Sequence, residues 1–205
     1  MSAPENFPFG VVILGAGASS RMGQPKLLLP WRGTTVIGHL FSQWQELGAV
    51  QIAVVLRASD TALAAELDRL SFPKSDRIEN PQPERGMFSS IVCAANWNGW
   101  RKDISSWAVV LGDQPHLQLK TLRKLLAFSA QNPAAICQPE FDGRSGHPVI
   151  LPRPALAELK NSGAGTLKEF LKLTAMPCVQ CSVADSGLSL DMDTPADYNS
   201  LKDSH

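Results

Sequence analysis

Four short apolar runs recur along this chain, at Val11–Leu14, Ile52–Leu56, Trp107–Leu111 and Ala134–Cys137. Between them, Val36–Leu47, Thr61–Leu70, Ser89–Trp97 and Leu119–Ala130 carry apolar residues at helical period. Strands that alternate with helices need a sheet covered by helices on both faces. They predict an α/β fold with three α/β/α layers around a mostly parallel, Rossmann-like sheet. Right-handed crossovers then bring the strand ends to one common edge, where such folds bind ligands. A length of 205 residues fits a single domain over 1–205, long enough to bury a sizeable core.

The second half is less regular. Turn residues flank the short run Pro148–Leu151, which predicts a strand outside the simple alternation. Thr166–Leu173 reads as a short helix and Cys178–Val183 as another strand. Thr194-Pro195 opens a last helix, with Thr194 as N-cap, proline at the first helical position and Asp197 as the capping partner.

The stretch from Val11 to Pro30, VVILGAGASSRMGQPKLLLP, leaves the first strand through three glycines and two cations. A Walker loop needs Gly-Lys-Ser/Thr at a helix start, whereas Lys26 follows Pro25 and precedes Leu27. A dinucleotide fingerprint needs an immediate helix and an acidic residue about 20 positions on. Gly23 and Pro25 oppose that helix, and Glu46 is the first acid after the loop. What remains is a longer irregular loop with Arg21 and Lys26 five residues apart. Its glycines would let backbone N–H groups approach phosphate oxygens, and its cations would neutralise them. Read alone, it is equally a solvated surface turn.

Two acidic features bear on that choice. Asp113 follows the apolar strand Trp107–Leu111, at the sheet edge from which the glycine loop also emerges. A carboxylate facing a triphosphate needs a divalent cation between them, and Mg²⁺ accepts one or two carboxylates with phosphate oxygens and waters. Asp113 is therefore a candidate metal ligand, presented by a turn that Pro115 stiffens. In the segment LSLDMDTPAD, Asp191 and Asp193 stand two apart, so in an extended chain both could face one ion. Asp193 could instead support the helix start beside Thr194.

Composition limits the partners. An apolar fraction of 44% and a charged fraction of 19% match an ordinary soluble protein. Nineteen basic and nineteen acidic residues leave zero formal net charge, which speaks against a nucleic-acid footprint or a polybasic membrane anchor. Phe9–Leu14 lacks a basic leader and a cleavage site, and no segment approaches the roughly 18 apolar residues of a membrane span. A cytoplasmic protein is expected. Of the four cysteines, Cys178 and Cys181 have C-x-x-C spacing, but they sit in a strand-like run with no second pair. They read as two strand thiols, not as a zinc or redox site.

Taken in order, the pieces resemble the MobA-like molybdopterin nucleotidyltransferases, and within them the molybdenum cofactor cytidylyltransferase branch. The match runs through Leu14-Gly15-Ala16-Gly17-Ala18-Ser19-Ser20-Arg21-Met22-Gly23-Gln24-Pro25-Lys26 and on into Leu27-Leu28-Leu29-Pro30. It continues at Asn80, Gly86-Met87-Phe88-Ser89-Ser90, Gly112-Asp113-Gln114-Pro115, Gly146-His147-Pro148-Val149 and Asp191-Met192-Asp193-Thr194-Pro195. The resemblance implies the glycosyltransferase-A-like nucleotidyltransferase fold. It implies that Lys26 and Arg21 bind nucleotide phosphates, that Asp113 holds Mg²⁺, and that Leu14, Gly15, Ala16, Gly17, Ser19, Asn80, Gly86 and Ser90 surround the base and ribose. Alanine at the place of Ala16 goes with CTP in that family and glycine with GTP. Gln114 and His147 are candidates for the acceptor side, and Trp31 is near enough to the loop to be considered.

Two departures stand out. Gly15 replaces the usual alanine, which should loosen the loop. Ser162-Gly163-Ala164-Gly165 lacks the acid of the family's Gly-Asp-x-Gly, which bears on the acceptor. The reaction implied is attack of an acceptor phosphate, such as that of molybdopterin, on the α-phosphorus of CTP with loss of pyrophosphate. A GTP-dependent guanylyltransferase, a sugar-phosphate nucleotidyltransferase and a non-catalytic nucleotide-binding escort for a molybdoenzyme are the rival readings.

Overall fold

A computed structural model describes residues 7–17 and 22–203. In chain order the strands are β1 (Phe9–Leu14), β2 (Pro30–Trp31), β3 (Thr34–Thr35), β4 (Gln51–Arg57), β5 (Arg77–Asn80), β6 (Ser106–Leu111), β7 (Ile136–Phe141), β8 (Arg144–Ser145), β9 (Val149–Pro152) and β10 (Cys178–Ser182). The α-helices are α1 (Val36–Glu46), α2 (Thr61–Arg69), α3 (Met87–Asn96), α4 (Leu119–Gln131), α5 (Arg153–Leu159), α6 (Leu167–Leu173) and α7 (Pro195–Asp203).

The main sheet runs β10-β7-β9-β6-β1-β4-β5, with β8 hooked onto β7, while β2 and β3 form a separate small hairpin. β1 pairs in parallel with β4 on one side and β6 on the other. From β1 the chain steps outward to β4 and β5, then returns to β6 across β1. That reversal opens a crevice beyond the carboxyl ends of β1 and β6. The irregular strand expected near Pro148–Leu151 is β9, which runs antiparallel to β6 and β7.

Period-two burial explains the layers. Val11, Ile13, Val54, Leu56, Ala108 and Val110 pack on one face against Ile37, Leu63, Leu125 and Leu201 of α1, α2, α4 and α7. Val12, Ala53, Val55, Trp107 and Val109 pack on the other against Ile91, Leu156 and Phe170 of α3, α5 and α6. The central strands are apolar on both faces because both faces are covered.

The start of the last helix follows the expected capping box. The backbone N–H and hydroxyl of Thr194 both donate to Asp197 Oδ2 at 2.8 Å, and the Asp197 N–H returns a bond to Thr194 Oγ1 at 3.3 Å. Thr166 caps α6 in the same manner, its hydroxyl accepting from the Glu169 N–H. Cys178 and Cys181 lie on β10 as free thiols, one exposed and one buried. No helix among the described residues is long and apolar enough to cross a membrane.

Candidate active site

The site begins with a wedge. Pro25 is followed by a single 3-10 turn, Lys26–Leu28, whose Leu27 is buried. A Cβ on Gly15 would lie 3.0 Å from Leu27 Cδ1, and one on Gly112 would lie 2.7 Å from Leu27 Cδ2. Two glycines thus let one leucine plug the gap between the loops after β1 and β6, and that plug places Lys26 over the crevice. The expectation that Gly15, in place of alanine, loosens the loop is therefore corrected: a side chain there would crowd the Leu27 plug. Gly15 is crowded also by the Val55 carbonyl at 3.0 Å. Its N–H donates to that carbonyl at 2.7 Å, so this donor extends the β-ladder and does not face a phosphate.

Lys26 joins two acids that are far apart in sequence. Its Nζ lies 2.6 Å from Asp193 Oδ1 and 3.4 Å from Asp113 Oδ2, with all three side chains half-buried or deeper. The Met192 N–H donates to the Asp113 carbonyl at 3.2 Å, which stitches the 191–193 segment to the turn after β6. Asp191 is held differently: its Oδ1 accepts from Gln114 Nε2 at 3.0 Å. Burial pushes the Asp113 carboxyl above the ordinary carboxylate range, nearby Lys26 pulls it down and Asp191 pushes it up again.

Whether these groups suit a divalent cation can be judged from Asp113 itself. Its Oδ1 is buried with no hydrogen-bond partner among the described residues. A buried carboxylate oxygen without a donor is costly unless something positive meets it. No group of three or more His, Cys, Asp or Glu side chains in metal-holding geometry occurs among the described residues. One or two carboxylates completed by phosphate oxygens is the arrangement Mg²⁺ tolerates, so Asp113 with Asp191 fits.

A cavity of about 430 Å³ opens along this edge. Of the residues singled out from sequence, it is lined by Leu14, Gly15, Ala16, Gly17 and Lys26, and by Gly86, Ser90 and Asp113. The others fall elsewhere. Ser19 and Arg21 lie outside the described residues. Asn80 is buried beneath the cavity and does not line it. Its Nδ2 donates to Ser89 Oγ at 2.8 Å and Ser90 Oγ at 3.0 Å, and its Oδ1 accepts from the Gln82 N–H at 2.9 Å. Gln114 is buried behind Asp113, where it holds Asp191. His147 is half-buried, with Nδ1 3.4 Å from the Val109 carbonyl, and burial lowers its pKa. Neither Gln114 nor His147 lines the cavity. Trp31 is a core residue, 1% exposed and packed beside His39 and Tyr198.

Arg57, Pro83 and Glu84 line the cavity from outside the quoted motifs, and Met87 lines it from within the Gly86–Ser90 motif. Arg57 closes β4, and its Nε donates to the Ala16 carbonyl at 2.6 Å. The signal for it was position alone, since it follows the apolar run Ile52–Leu56 at the same sheet edge. Pro83 and Glu84 lie in a 3-10 turn after β5, ended by Gly86 at φ +83° and ψ −177°. Met87, 44% exposed at the cavity, begins α3.

With that geometry in place, comparison with known proteins is direct. The MobA-like NTP transferase domain matches residues 11–179. The molybdenum cofactor cytidylyltransferase of Escherichia coli K12 is 26% identical over 195 residues, covering 94% of each chain. The nicotine blue oxidoreductase of Paenarthrobacter nicotinovorans is 29% identical, covering 88% of this chain and 90% of its own. Among solved structures, Rv0371c from Mycobacterium tuberculosis H37Rv superimposes with a TM-score of 0.76 at 27% identity, over 98% of this chain and 100% of that one. A complex of that protein with manganese gives a TM-score of 0.70 at 25% identity, over 97% of this chain and 100% of that one.

Proposed function

The chain belongs to the MobA-like NTP transferase family, and on that premise we propose that it transfers CMP from CTP to a phosphorylated acceptor of the molybdopterin type, releasing pyrophosphate. The observation that carries this reading is the placement of the Lys26 ammonium between Asp113 and Asp193, at the edge of a cavity lined by the loop after β1. A cation beside paired acids, at the point where the sheet order reverses, suits a magnesium-bearing triphosphate.

The acceptor phosphate is already an anion near neutral pH, so no side-chain base is required. The protein's part is alignment and charge neutralisation. Lys26 binds the α-phosphate or the departing pyrophosphate, and Arg21 belongs with it on the family motif. Asp113, with Asp191 as its neighbour, would hold Mg²⁺. When bound, that ion neutralises triphosphate charge and orients its oxygens. Asp193 is engaged by Lys26 and serves as its counter-ion. Gln114 orients Asp191, and His147, whose pKa burial lowers, is assigned to the acceptor side on the family motif alone.

Ala16 favours CTP. It lines the cavity and is 4% exposed, and a methyl at this position leaves a base less room than a glycine would. A relative named molybdenum cofactor guanylyltransferase, from Xanthomonas euvesicatoria, is 32% identical over 60% of this chain, so GTP is the rival nucleotide. A reaction consuming a nucleoside triphosphate belongs in the cytoplasm. Pyrophosphate release by the purified protein with Mg²⁺, comparing CTP with GTP and molybdopterin with sugar phosphates, tests the proposal. Preferred turnover of CTP with molybdopterin supports it; nucleotide binding without turnover leaves only an escort for a molybdoenzyme.

A further inference from the structure

Arg57 is the cation of the cavity on the far side of β1 from Asp113. It closes β4, while Asp113 follows β6, and β1 lies between those strands. With neighbouring strands about 4.8 Å apart, the two ends of the cleft are separated by roughly 10 Å. Lys26 and Asp113 therefore mark a phosphate end, and Arg57 marks the other.

What Arg57 does there is specific. Its Nε donates to the Ala16 carbonyl at 2.6 Å. The residue before, Gly15, is tied through its N–H to Val55 of the same strand. For the residue after, Gly17, no atom of the described residues lies within 4 Å of the place a Cβ would take. Ala16 thus sits between a residue fixed by the β-ladder and a glycine. A side chain, not a strand, holds its carbonyl.

We propose that Arg57 is a positioning residue for nucleotide selection: by holding the Ala16 carbonyl it fixes the peptide and methyl against which the base packs. The inference rests on the nucleotidyl-transfer reading above and assigns its base discrimination to one hydrogen bond. A guanidinium suits the task because its planar fork presents Nε to the carbonyl in a set orientation, which a lysine's point charge does not. Without that donor, the Ala16 peptide turns about the glycine that follows it, and the spacing that separates a pyrimidine from a purine is lost.

The test compares the wild type with Arg57→Gln and Arg57→Lys, using CTP and GTP with Mg²⁺ and molybdopterin, alongside equilibrium binding of both nucleotides. A pocket edge of this kind discriminates by roughly 10- to 200-fold, so Arg57→Gln should narrow the wild-type nucleotide preference about 10-fold, through KM more than kcat. Arg57→Lys should fail to restore it. An unchanged preference in both variants overturns the proposal, as does an equal loss with both nucleotides, which marks a merely structural role. If the wild type turns over neither nucleotide, the transferase reading fails. The ratio of the two dissociation constants then decides on Arg57, a narrowed ratio supporting it and an unchanged one ending it. Should thermal melting show that Arg57→Gln does not fold, the lysine variant, which keeps the charge, carries the same comparison.

Discussion

Lys26 Nζ lies 2.6 Å from Asp193 Oδ1, closer than its 3.4 Å approach to Asp113 Oδ2. Asp193 is thereby the anchor of the ammonium, and Asp113 keeps an oxygen for something else. A fixed cation in a desolvated site contributes transition-state stabilisation of about 2.7–4 kcal/mol, so Lys26→Ala should lose roughly 10²–10³ in kcat. Asp193→Asn should lose less, about 10-fold, because the lysine remains but is less well placed. Titrating Mg²⁺ separates the acids. Asp113→Asn and Asp191→Asn should raise the Mg²⁺ concentration needed for half-maximal rate, and Asp193→Asn should leave it unchanged.

Asp113 predicts a pH dependence of stability. Burial, reinforced by Asp191, raises its folded-state pKa above the ordinary carboxylate value of about 4. The folded protein then holds this proton more tightly than the unfolded chain. Its contribution to stability is full below about pH 4 and is lost as pH rises through the raised folded value. Asp113→Asn removes the ionisation, so it should melt above the metal-free wild type at pH 7 and lose that advantage near pH 4. Adding Mg²⁺ at pH 7 should raise the melting temperature of the wild type but not of the variant. Equal melting temperatures at both pH values would refute the argument.

Gly86 adopts φ +83° and ψ −177°, a conformation essentially restricted to glycine, and it is the residue from which α3 starts at the cavity. Gly86→Ala should therefore cost about 1–3 kcal/mol in urea denaturation. It should also raise the KM for nucleotide, since the first turn of α3 would have to shift. A variant as stable as the wild type would show that the backbone relaxes there without strain.

The central strands and their helices were legible because strands covered on both faces must be continuously apolar, as in Val109–Leu111 and Val54–Leu56. β5 was not, since it has four residues, Arg77 to Asn80, of which only Ile78 and Asn80 are buried. α3 begins at Met87, two residues before the expected Ser89, because a glycine outside helical space ends the preceding turn immediately before it. For the site, Lys26, Asp113 and Leu14–Gly17 were singled out from motifs and line the cavity, Leu14–Gly17 and Asp113 because they stand at strand ends and Lys26 because it closes the loop motif. Arg57 carried no motif, and its partner is a backbone carbonyl that sequence cannot register. The choice between Asp191 and Asp193 was open because two-residue spacing permits both; in the structure their partners differ, Gln114 for Asp191 and Lys26 for Asp193.

Asn80 gives a last prediction. The family motif implied a contact with nucleotide, yet the side chain is 1% exposed and fully engaged. Its amide clamps Ser89 and Ser90 in the first turn of α3, and its carbonyl oxygen takes the Gln82 N–H. Asn80→Ala leaves buried polar partners without their bonds, which costs about 1–3 kcal/mol. The loss should appear in urea denaturation at full size with or without nucleotide. The KM for nucleotide should rise only modestly, because Ser90 and Gly86 lose support and no direct contact disappears. A variant of unchanged stability with nucleotide affinity reduced 100-fold would instead mean that Asn80 turns out of the core to meet the ligand.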